Sequence, residues 1–122
     1  MTRRIRNAAI AACLALAVSG QAFAHAMLET AAPAAGSTVA SAAEIRLSFS
    51  EALEPLFSSI KLTSKDGKPV EAPKAAPDPA DHKVLILHPA APLPPGSYHV
   101  EWSVVSVDTH RTQGSFSFTV QP

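Results

Sequence analysis

The chain has 122 residues, with ten basic and ten acidic side chains, five histidines and one cysteine, Cys13. That length fits one small domain. The even charge balance excludes the basic surface that nucleic-acid binding needs, and a lone cysteine excludes a disulfide framework or a thiolate metal cluster.

The first 24 residues, MTRRIRNAAIAACLALAVSGQAFA, put three arginines ahead of an apolar run from Ala8 to Val18. The run is shorter than the ~20 residues that span a bilayer. A basic head, a short apolar middle and small residues at Ala22 and Ala24 make this segment an expected secretory signal peptide, residues 1–24, cut after Ala24. The mature domain, residues 25–122, then has 98 residues, seven basic against ten acidic side chains, and no cysteine. Its first residue is His25. Once cut, the chain carries an α-amino group beside the His25 imidazole, and the two nitrogens can close a chelate ring on a metal ion.

The rest of the chain alternates with period two, the mark of half-buried strands. EIRLSFS (44–50) sets Ile45, Leu47 and Phe49 against Arg46 and Ser48, and EALEPLF (51–57) allows a single helical turn. SSIKLTS (58–64) pairs Ile60 with Leu62, and KDGK (65–68) predicts a hairpin turn into a short strand at 69–71. The proline-rich stretch 72–82 reads as a loop, because proline gives no amide hydrogen to a sheet. KVLILHP (83–89) reads as a buried strand and PAAPLPPG (89–96) as another loop. SYHVEWSVVS (97–106) turns Tyr98, Val100, Trp102 and Val104 to one side, and GSFSFTV (114–120) does the same with Phe116, Phe118 and Val120. Several short strands in about 100 residues predict an all-β fold, a small Greek-key β-sandwich of about seven strands.

Four of the five histidines sit in distinct settings. His82 falls in the proline-rich loop, His88 ends a strand before Pro89, and His99 lies on the face opposite Tyr98 and Trp102. His110 differs, because SVDTHRTQG (106–114) places Asp108 two residues before it. In an extended chain, positions i and i+2 point to the same side, so the carboxylate and the imidazole converge. With the His25 chelate they make a set of three nitrogens and one oxygen. Such a set, lacking sulfur, suits tetragonal Cu(II) better than Cu(I). Glu51, on the Phe49 side of its strand, is a candidate weak fifth ligand, outer partner or surface acid.

The residues AHAMLETAAPAAGSTV after the leader, IRLSFSEALEP and YHVEWSVVSVDTHRTQGSFSFTV, in this order and spacing, resemble the CopC family of periplasmic copper-resistance proteins. The resemblance implies an immunoglobulin- or cupredoxin-like sandwich that binds Cu(II), one per chain, through His25, Asp108 and His110, with Glu51 as a further contributor. It implies a monomer in the periplasm and, as partner, a separate CopD-like inner-membrane copper transporter. Relatives with a second, Cu(I), site carry a methionine-rich loop. The corresponding region here, near 55–82, has no methionine, and Met27 is the only one after residue 24, so the Cu(I) site is not expected.

Two other functions compete with a copper carrier. A copper monooxygenase also uses an amino-terminal histidine chelate, but Asp108 would take an equatorial place that such an enzyme keeps open for oxygen, and the chain is short and poor in aromatic residues. A metal-free structural sandwich is the third reading, which a copper titration separates from the first.

Overall fold

The computed structural model describes residues 25–122; the expected signal peptide and its cut lie outside the described residues. The alternation in the sequence becomes eight strands: β1 (Leu28–Ala32), β2 (Thr38–Val39), β3 (Ile45–Phe49), β4 (Ser59–Ser64), β5 (Ala76–Asp78), β6 (Asp81–Leu87), β7 (Gly96–Val105) and β8 (Arg111–Val120). They form two four-stranded sheets, β1-β3-β6-β5 and β2-β8-β7-β4. Pairing is antiparallel except where β2 runs parallel to β8. Ile45, Leu47, Phe49 and Leu85 from the first sheet meet Val100, Val104 and Phe118 from the second, all essentially out of solvent. Burying each such side chain stabilises the fold by roughly 1.5–3 kcal/mol. This is the expected all-β sandwich. The strand count exceeds the expected seven because β1, β2 and β5 are too short, or too poor in alternation, to read from the sequence.

Three local expectations are corrected. The stretch 72–82 is not all loop: Ala76–Asp78 pairs with β6, with Pro77 opposite Leu85. β5 is the outermost strand of its sheet, the place where a missing amide hydrogen costs no ladder bond. β6 starts at Asp81, so His82 belongs to a strand. The expected strand at 69–71 is reduced to a bridge between Thr63 and Pro69. The turn itself is held by Ser64 N–H to Lys68 O (2.9 Å) and Val70 N–H to Leu62 O (2.9 Å), with Gly67 at φ +80°. The turn within 51–57 is a 3-10 turn at Pro55–Phe57.

The path after β3 decides where the candidate residues meet. Ser50 N–H donates to Met27 O, Val107 N–H to Ala52 O, and Glu54 N–H to Val105 O. Residues 50–54 therefore run between the start of the described chain and the end of β7, and join the two sheets at one end of the sandwich.

Candidate metal centre

The connection from β7 to β8 is a tight turn. Ser106 N–H donates to His110 O (3.0 Å) and Thr109 N–H to Ser106 O (2.8 Å). Thr109 takes the left-handed φ of +75°, unusual for a β-branched residue. Asp108 and His110 are thus brought together by a turn, not by alternation along an extended strand as the sequence suggested. Asp108 Oδ1 accepts the Ser106 hydroxyl and the His110 N–H (3.2 Å). Oδ2 lies 3.1 Å from His110 Nδ1. The Ser106 hydrogen bond, against the opposing effect of burial and with help from the His110 side chain and amide, lowers the Asp108 pKa from 3.8 to about 2. The carboxylate is charged at any neutral pH, while the His110 side chain is 60% exposed.

His25 is delivered to this turn by the residues after it. Ala26 is fully buried, and its carbonyl accepts the Thr112 hydroxyl of β8 at 2.7 Å. Met27 N–H donates to Ser50 Oγ (2.8 Å), and the Ser50 hydroxyl reaches His25 O (3.3 Å). With Ala26 tucked in, His25 and Met27 face outward on either side of it. The His25 ring comes to rest 4.7 Å from that of His110, centroid to centroid, at 61°. Glu51 is half-buried on the segment between these two pieces of chain.

The other three histidines lie on or just after β6 and β7. His82 is exposed at the start of β6. His88 Nδ1 is 3.9 Å from Glu44 Oε1. His99 faces outward beside Ser117 Oγ (3.2 Å) and Glu101 Oε2 (3.8 Å). Among the described residues, no three His, Cys, Asp or Glu side chains already enclose one point.

The donor types brought together, imidazole nitrogens of His25 and His110 and a carboxylate oxygen of Asp108 with no sulfur, fit a borderline transition-metal ion, and the 3.1 Å Nδ1–Oδ2 and 4.7 Å ring-to-ring spacings put them side by side.

Ser50, Ser106 and Thr112 hold the arrangement together and were not singled out from the sequence. Two of them carried a signal. Ser106 continues the inward series Tyr98, Val100, Trp102, Val104, and Thr112 precedes the inward series Gly114, Phe116, Phe118. A polar residue at an inward position, next to a candidate metal motif, needs a partner. The large apolar side chains exposed among the described residues, Met27, Leu56, Phe57 and Val107, also lie on the segments that build this end.

Comparison with known proteins places the chain in a family. The CopC domain model matches residues 28–121. Copper resistance protein C of Escherichia coli is 40% identical over 96% of this chain and 98% of its own length. Copper resistance protein C of Xanthomonas campestris pv. juglandis is 44% identical over 92% and 90%. Among solved structures, PcoC, a methionine-rich copper resistance protein from Escherichia coli, superimposes with a TM-score of 0.74 at 44% identity, over 80% of this chain and all of that one. None of these names is that of an enzyme. The full-length match in sequence and in sandwich architecture has one reading: the chain belongs to the CopC domain family.

Proposed function

We propose that this protein is a periplasmic Cu(II) carrier or buffer for copper resistance. It binds one ion per chain, as a monomer and without turnover. Residues 1–24 direct export and are removed, and the new amino terminus and imidazole of His25 join Asp108 Oδ2 and His110 around the ion, with Glu51 beside them. The observation that carries the reading is the meeting of His25 and His110 at 4.7 Å with the Asp108 carboxylate 3.1 Å from His110, from two ends of the chain. The relatives named as copper resistance proteins support copper as the ion bound.

An exposed imidazole with apolar neighbours supports delivery to another protein, since contiguous exposed apolar surface marks contact sites. In this reading the acceptor is a CopD-like inner-membrane copper transporter. Native mass spectrometry of the exported protein, with and without Cu(II), tests the proposal. The expected species begins at His25 and gains one copper. A different first residue, two tightly held ions or none would overturn it. Oxygen uptake with a reductant and a polysaccharide should stay at background, and turnover there would point to an oxidative enzyme.

A further inference from the structure

Ser106 is fully buried, although Asp108 and His110 next to it are partly or largely exposed. It sits at the end of an apolar strand, where a hydroxyl without a partner would cost about 1–3 kcal/mol. Its polar contacts go into the turn: its hydroxyl donates to Asp108 Oδ1 and lies 3.4 Å from His110 O, its amide donates to His110 O, and its carbonyl accepts the Thr109 N–H. With the His110 N–H also on Oδ1 (3.2 Å), that oxygen has both lone pairs engaged. Oδ2 lies 3.1 Å from His110 Nδ1.

On the copper-site reading above, on which this rests, we propose that Ser106 is a positioning residue that makes Asp108 a one-oxygen ligand. It occupies Oδ1 and fixes the plane of the carboxylate, so that an incoming ion meets Oδ2 alone at a set angle to His110. The arrangement is a selectivity device as well. Hard ions that collect six to eight oxygens, often with a bidentate carboxylate, lose half of Asp108, whereas an ion content with few donors at right angles loses nothing. Hydrogen-bond partners of metal ligands are typically worth 10–100-fold in affinity.

The test is a double-mutant cycle on Cu(II) affinity, using protein exported from the full-length sequence and competition against a chelator. Asp108→Ala comes first: if it binds as tightly as the native protein, the copper-site reading fails at Asp108 and Ser106 has nothing to position. Given a loss there, Ser106→Ala should weaken binding about tenfold or more in the native background and less than about twofold in the Asp108→Ala background. Ser106→Thr, which keeps a hydroxyl, should restore most of the affinity. An unchanged affinity in Ser106→Ala, or the same loss in both backgrounds, overturns the proposal, the latter because it marks a merely structural role. A crystal structure of the native copper-loaded protein answers independently of how the variants fold. Asp108 bound through one oxygen, with Ser106 on the other, is expected; both oxygens on the metal would refute it.

Discussion

Gly114 stands opposite Trp102 in the β7–β8 pair, and the indole lies over it. A Cβ added at Gly114 would sit 2.6 Å from Trp102 Cζ2, 3.0 Å from Cε2 and 3.3 Å from Nε1. Carbon atoms in good contact stand about 3.5–4.0 Å apart, so Gly114→Ala requires the indole to retreat by roughly 1 Å. The indole also packs against Phe49, centroid to centroid 5.2 Å at 72°, and Phe49 is 1% exposed, so moving the ring disturbs a buried contact. Overpacking of this kind costs about 1–3 kcal/mol. Alanine returns ~0.5–1 kcal/mol through its smaller conformational freedom in the unfolded chain. From the middle of both ranges the net loss is about 1 kcal/mol, which in a domain of this size lowers Tm by roughly 4–8 °C. Trp102 is the only tryptophan in the chain, so its fluorescence reports both the displaced ring and the melting transition. Circular dichroism melts of Trp102→Phe with and without Gly114→Ala supply the control, since the smaller ring should remove most of the penalty. A Gly114→Ala protein that melts at or above the native temperature, or an equal loss in the Trp102→Phe background, would refute the reasoning.

In the mature protein proposed to begin at His25, one extra residue before it converts the amine to an amide and removes the proposed chelate. Cu(II) affinity should fall at least about 100-fold, or ~3 kcal/mol, with no change in the metal-free Tm; equal affinities in a chelator competition would show that the amine is not a ligand. His110→Ala should also weaken binding while leaving the His25 chelate in place. Acid should release copper below roughly pH 5–6, because imidazole and amine bind metal only when deprotonated; copper held in full at pH 3 would mean that carboxylates dominate. For the metal-free protein the sign follows from Asp108, whose folded pKa of about 2 lies below its usual 3.8. Its stabilising contribution is complete above 3.8 and is lost as pH falls towards 2, so Asp108→Asn should flatten the Tm profile across that window. With Met27 the only methionine after residue 24, one tight Cu(II) and no tight Cu(I) site are expected; a preference for Cu(I) in a paired titration would contradict this.

The sandwich was legible in the sequence because one face of each long strand is buried, and that burial writes itself as alternation: Ile45-Leu47-Phe49, Tyr98-Val100-Trp102-Val104 and Phe118-Val120. Its short edge elements were not. β2 is two residues long and β5 carries Pro77, so their existence depends on the neighbour that pairs with them and not on a pattern of their own. The same division runs through the candidate site. The residue types at His25, Asp108 and His110, and the local spacing of the last two, are properties of the sequence alone. Their geometry belongs to the tertiary structure. Asp108 and His110 converge through a turn with Thr109 at positive φ, set by backbone hydrogen bonds that local alternation does not encode. His25 is brought to His110 as Ala26 is buried with its carbonyl on Thr112 and Ser50 ties down Met27, contacts that span 86 and 23 residues. A spacing of two can be read along a chain; the meeting of its first described residue with its hundred-and-tenth is decided by how the two sheets close over the core.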